Sequence, residues 1–257
     1  MDEKIKEFKR LLDIMDELRA KCPWDKKQTY DSLRHLTIEE TYELADAIIE
    51  KNSTDIRKEL GDLMLHIVFY AKIGSEKGEF DMADVLKGIN EKLIKRHPHI
   101  YSDVIAETDI QVKNNWEKIK LQEGHCSVLE GVPVSLPAMV KAYRIQDKAR
   151  GVGFDWEKPE QVWEKVLEEL DELKKEVETG ADNEKTEDEL GDLFFALINY
   201  SRFIDVNPET ALEKTNKKFI KRFKYLEENA RKQGRSLHEM TLTEMDVFWN
   251  DAKIKFK

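Results

Sequence analysis

Apolar residues recur along this chain at intervals of three and four. In FKRLLDIMDELR (8–19), Phe8, Leu11, Leu12, Met15 and Leu18 fall on one face of a helix. CPWDKKQTYDSLR (22–34) lacks that period and reads as an irregular connection. Thr37 followed by Glu40 has the spacing of a capping box and predicts the start of a helix carrying EETYE (39–43). Asn52-Ser53-Thr54 ends that helix and caps a third, which holds ELGD (59–62) and the apolar run LMLHIVFYA (63–71). NEKLIKRH (90–97) predicts a fourth helix, and Trp116 falls in a short last one. No stretch sustains a period of two, so the expected class is all-α with almost no sheet.

The same order of segments then repeats. EETYE returns as EELDE (168–172), KELGDLMLHIVFYA (58–71) as DELGDLFFALINYS (188–201), and NEKLIKRH as NKKFIKRF (216–223). WEKIK (116–120) has a counterpart in WNDAK (249–253). Each second copy follows its first by 126 to 133 residues, a spacing too constant for chance. The chain therefore divides into two homologous helical bundles, 1–122 and 135–257, with a Gly-, Pro- and Ser-containing linker at 123–134.

Composition narrows the chemistry. Net charge is −10 over 257 residues, which disfavours nucleic acid and anionic membranes as partners. The 37% of charged residues exceeds the roughly 25% of an average soluble protein. Two cysteines, Cys22 and Cys126, make neither a disulfide framework nor a CxxC site. The charged N-terminus lacks the core of a signal peptide, and the apolar run 63–71 is too short to span a bilayer. A cytoplasmic protein is expected.

The regular carboxylates remain to be explained. Glu40 and Glu43 share one helix face, as do Glu59 and Asp62 on the next helix. A short turn makes those helices antiparallel neighbours, so the pairs can converge. Leu65, His66 and Phe69 follow Asp62 on the same face, which aims the acids toward the bundle interior. Gly61 and Gly191 are expected to permit close helix approach. Isolated Glu-x-x-Glu pairs usually decorate a wet surface, but here two pairs per half recur at matching positions. Converging carboxylates repel one another unless a cation neutralises them, and Mg²⁺ or Mn²⁺ accepts such an oxygen set. No histidine has Glu three residues before it, against a ferritin-like di-iron centre, and no P-loop is present.

EExxE followed by ExxD, in tandem with CPWD (22–25), RHPH (96–99), GFDW (153–156) and KFIKRF (218–223), resembles the MazG family. Those proteins are nucleoside triphosphate pyrophosphohydrolases of the all-α superfamily. The resemblance covers nearly the whole chain. It implies Mg²⁺-dependent hydrolysis of NTPs, ATP among them, to NMP and pyrophosphate, with low base selectivity and a homodimeric assembly. Within the superfamily, a dUTPase or phosphoribosyl-ATP hydrolase remains an alternative, as does a nucleotide-sensing module without turnover.

The halves differ. Lys165 stands where the first half has Leu36, and Asn199 where it has Phe69. The expected metal ligands are Glu169, Glu172, Glu189 and Asp192, with Glu40, Glu43, Glu59 and Asp62 as their first-half counterparts. Glu168 is the candidate general base or outer ligand. Lys165, Lys218 and Arg222 are expected to clamp phosphates, Asn199 to read a sugar or base edge, and Trp249 with Lys253 to contact the nucleotide, the last pair on the resemblance. Lys92 and Arg96 repeat the Lys218–Arg222 pair. His97, His99, Cys22 and Trp24 are read as structural.

Overall fold

The computed structural model describes residues 2–256 except 103, 105–107, 109, 110, 113, 114, 116–118, 120–126 and 181. The expected helix around Trp116, and Cys126, lie outside the described residues. Among those described there is no strand, and the chain separates into two compact units, Met1–Trp116 and Glu117–Lys257.

The first unit comprises α1 (Glu3–Lys21), α2 (Tyr30–Ile49), α3 (Ser53–Lys77), α4 (Met82–Arg96) and the single turn α5 (Pro98–Tyr101). Its core gathers Met15 from α1, Leu33 from α2, and Val68, Phe69 and Ile73 from α3. The periodic face of α1 is thus the buried one, with Phe8, Leu11 and Leu12 packed beside Met15. Asn52 caps α3 as expected, its Oδ1 accepting from the amides of Thr54 and Asp55 at 3.1 and 3.4 Å.

The start of α2 departs from expectation. The helix begins at Tyr30, and its capping box is Thr29 with Ser32, inside the stretch read as irregular. Thr37 lies mid-helix. Its hydroxyl donates back to the Leu33 carbonyl at 3.1 Å and meets the Tyr70 hydroxyl at 2.6 Å, so it fastens α2 to α3.

The second unit comprises α6 (Ala138–Arg150), α7 (Pro159–Thr179), α8 (Asn183–Phe203), α9 (Pro208–Lys232) and α10 (Leu242–Lys255). α7 and α8 form a helical hairpin equivalent to α2 and α3, turned by Gly180 at a φ of 67°, where a side chain would be strained. Val166, Leu193 and Ala196 make its buried centre. Residues 128–130, within the expected linker, pack on this unit: Lys148 Nζ donates to the carbonyls of Val128 and Glu130 at 2.9 and 3.4 Å.

One expectation about glycine fails. A Cβ placed on Gly61 or Gly191 meets nothing within 4 Å, so neither serves a close helix approach. Gly74 instead admits the loop after α3: a Cβ there would stand 2.8 Å from the Phe80 ring and carbonyl.

Candidate active site

The hairpin turns bring the paired acids together in both units. On α7 and α8, Glu169, Glu172 and Glu189 each place one oxygen within 4.8 Å of the others. On α2 and α3, Glu40, Glu43 and Glu59 do the same. Glu169 and Glu59 are buried, 6% and 5% exposed, so each triplet is anchored in a dry floor. Asp192 and Asp62 stand outside the tight triplets, though each acts electrostatically on a triplet member.

The electrostatics record crowded negative charge. Burial first, then the neighbouring Glu172, Asp192 and Glu169, push the Glu189 carboxyl above the ordinary glutamate range. Burial and then Asp62, Glu43 and Glu59 do the same to Glu40. Glu59 Oε2 is buried without a hydrogen-bond partner. An all-oxygen donor set with raised carboxyls and an orphaned oxygen fits a hard divalent cation. Ligands on opposite sides of Mg²⁺ stand about 4 Å apart, close to the observed spread.

Each unit also holds an ammonium against its acids, from different places. Lys165 on α7 pairs with Glu168 at 2.9 Å and Glu169 at 2.7 Å, and these bonds hold it firmly protonated. Lys58 on α3 pairs with Glu59 at 3.0 Å and lies 4.0 Å from Asp62. The first unit thus has a cation beside its acids, which the presence of Leu36 alone did not suggest.

The second unit opens beside its triplet into a cavity of about 760 Å³. Lys165, Glu169, Asp192, Phe195, Asn199 and Gln146 are among the residues that line it. Phe154 and Trp156, 83% and 45% exposed, stand at the wall contributed by GFDW. Asp155 of that motif forms a two-pronged pair with the buried Arg202, one contact being Nη1 to Oδ2 at 2.8 Å. Arg202 also donates to Asn199 Oδ1, at 2.8 Å from Nη2 and 3.3 Å from Nε. Arginine only donates, so these bonds fix the amide with its NH₂ away from Arg202.

The first unit has larger groups at two of the equivalent sequence positions. His66 and Phe69, 7% and 3% exposed, occupy the positions of Ala196 and Asn199, and Leu36 packs against the same core. Arg19 lies over the Phe69 ring at 5.5 Å. Burial, partly offset by Asp62, lowers the His66 pKa.

Four expected substrate contacts do not line the second unit's cavity. Lys218 and Arg222 are on α9, and Trp249 and Lys253 on α10. Arg222 donates to the Phe256 carbonyl at 2.8 and 3.2 Å, closing the end of α10. Trp249 packs on Phe219 at 5.0 Å, and Lys253 donates to Asn250 at 3.2 Å. Glu168 is half-exposed and reaches the site through Lys165. Conversely, Gln146, Phe154, Asp155 and Trp156 went unrecognised as cavity residues. Lone amides and aromatics carry no spacing signal. GFDW stood out only as a mark of resemblance.

The geometry defines a tandem all-α protein whose helical hairpins each carry a carboxylate cluster suited to a divalent cation. The profile of the MazG nucleotide pyrophosphohydrolase domain matches residues 28–101 and 157–226, the segments that hold the two clusters. The chain is 45% identical over 251 residues to the Thermotoga maritima nucleoside triphosphate pyrophosphohydrolase/pyrophosphatase MazG, covering 96% of this chain and 95% of that one. It is 41% identical over 252 residues to the Escherichia coli K12 nucleoside triphosphate pyrophosphohydrolase, covering 95% and 96%. It also matches the Bacillus subtilis protein YabN at 46% identity, over 96% of this chain and 52% of that protein. The chain belongs to the MazG family.

Proposed function

We propose that the chain hydrolyses nucleoside triphosphates between the α- and β-phosphates, with turnover in the second unit. The observation that carries this is the opening of its carboxylate triplet onto a cavity with an ammonium, aromatic walls and a fixed amide. Full-length likeness to two nucleoside triphosphate pyrophosphohydrolases supports it.

Glu169, Glu172 and Glu189 would hold Mg²⁺, or Mn²⁺ in its place, with Asp192 joining from the cavity wall. When bound, the cation neutralises triphosphate charge and the charge that develops on departing pyrophosphate. Lys165 adds a fixed positive charge beside the phosphates, and Glu168 keeps that ammonium positioned. Water adds to the α-phosphorus, its proton passes to a carboxylate, for which Glu168 is the candidate, and pyrophosphate leaves. The apolar walls exclude solvent from the nucleoside, and broad base tolerance belongs to the proposal.

The domains are proposed to run 1–122 and 135–257 about a linker at 123–134, with residues 128–130 seated on the second. A homodimer is proposed because the outer hairpin faces leave Trp163, Leu167, Leu170, Phe194 and Leu197 40–53% exposed. Lys218, Arg222, Trp249 and Lys253 remain proposed contacts for substrate phosphates and base. A cytoplasmic setting agrees with the two cysteines and net charge of −10. Among the described residues no helix is long and apolar enough to cross a membrane.

Purified protein with Mg²⁺ should release NMP and pyrophosphate from several NTPs, and EDTA should abolish the release. NDP and orthophosphate as primary products would refute the mechanism. A mass for the monomer by light scattering at micromolar protein would refute the dimer.

A further inference from the structure

Two loops outside the acid-bearing hairpin line the second unit's cavity. One, residues 127–132, precedes α6 and falls within the stretch read as linker. It is a tight turn, in which the Glu130 and Val132 amides donate to the Ser127 and Leu129 carbonyls, both at 3.1 Å. Val128 and Leu129 line the cavity from this loop. The other loop, residues 151–158, joins α6 to α7 and contributes Phe154 and Trp156.

Leu129 and Phe154 are 45% and 83% exposed, so neither anchors its loop by burial. A buried cation on a neighbouring helix ties each loop instead. Lys148 of α6 is 4% exposed, and its Nζ donates to the Val128 and Glu130 carbonyls at 2.9 and 3.4 Å. Arg202 of α8 is 8% exposed and holds the Asp155 carboxylate. Burying an ammonium is costly unless its donors are met, and an apolar side chain would fill the same volume without that cost. What Lys148 adds is a fixed position for the loop backbone, and with it for Leu129.

Lys165, Glu169 and Asp192 line the same cavity. A ligand with an anionic end and an apolar body matches such a lining, and exposed apolar groups gain when that body covers them. We infer that the loop 127–132 forms part of the wall that receives the nucleoside, and that Lys148 is its positioning residue. Leu129 packs on the nucleoside, while Lys148 acts only through the loop and does not touch substrate. The second site then draws on residues ahead of 135, in the segment that joins the two halves. This deepens the proposed nucleotide hydrolysis and rests on it.

The test measures kcat and KM for ATP, together with inhibition by inorganic tripolyphosphate, which carries the phosphates without a nucleoside. Lys148→Met should raise KM roughly three- to tenfold, the effect of losing one apolar contact surface. Its kcat and its inhibition by tripolyphosphate should be unchanged. Leu129→Ser should show the same pattern with the loop still anchored. An unchanged KM in folded Lys148→Met overturns the inference. A parallel loss of tripolyphosphate inhibition overturns it too, because the ammonium then supports the whole unit and not the nucleoside wall. If Lys148→Met does not fold, the exposed Leu129 decides. Unchanged KM in Leu129→Ser refutes the loop's role, and raised KM with tripolyphosphate inhibition kept upholds it. Absence of pyrophosphate from the unaltered protein defeats the proposed activity instead.

Discussion

Lys165 approaches the carboxylates from the first helix of its hairpin, whereas Lys58 approaches from the second helix of the other. Lys165 also borders the cavity of about 760 Å³, so the two ammonium groups should differ in their effect on turnover. Lys165→Met is expected to slow pyrophosphate release about tenfold. A charge-assisted contact is worth roughly 1.5–3 kcal/mol, and the partial exposure of Lys165 places the effect at the lower end. Lys58→Met should retain most activity. Likewise Glu172→Ala should remove most turnover and Glu43→Ala should leave a substantial fraction, with folding checked by circular dichroism; the reverse ranking would reassign the active unit. Glu189 gives these acids a pH signature. Its pKa is raised in the folded, metal-free protein, so its ionisation costs stability above that raised pKa. The cost disappears as pH falls below the ordinary glutamate value. Mg²⁺ binds the ionised form, so its stabilising effect should be large near pH 7.5 and shrink toward pH 5. Melting curves with and without Mg²⁺ at both pH values measure this.

At the scale of helices, the hairpin of α2 and α3 was legible because cap, acids and apolar stripe agreed. Asn52 stood at the junction, and His66 and Phe69 did turn inward. Asn52→Ala should therefore cost about 1 kcal/mol in urea unfolding, with the slope against denaturant unchanged. The onset of α2 was not legible. Thr37 and Glu40 have cap spacing, but whether a threonine caps depends on where the preceding backbone goes. Here that backbone was already helical, and Tyr70 offered the Thr37 hydroxyl a tertiary partner. Gly61 and Gly191 misled similarly, since glycine in a helix does not reveal whether another helix approaches it. The cavity was hardest to foresee. Gln146, Asp155 and Asn199 come from separate segments and meet only through α6, α8 and the GFDW turn.

Across the whole molecule, the duplication preserved the carboxylate hairpin and changed what lies beside it. One copy buries His66 and Phe69 at the positions where the other has Ala196 and Asn199 beside a cavity of about 760 Å³. A filled interior gains dispersion contacts that an empty one forgoes. Calorimetry should therefore resolve two unequal melting steps, with the socketed copy melting first. Mg²⁺ alone should raise both steps, because each copy has a carboxylate triplet. A non-hydrolysable triphosphate added with Mg²⁺ should raise the lower step further, by about 2.7 kcal/mol of stability at a hundredfold excess over its dissociation constant. The upper step should not respond to the nucleotide. The plugged copy would then act as a built-in thermal reference, and its unmoved peak would show that the ligand acts on one half of the duplicated chain.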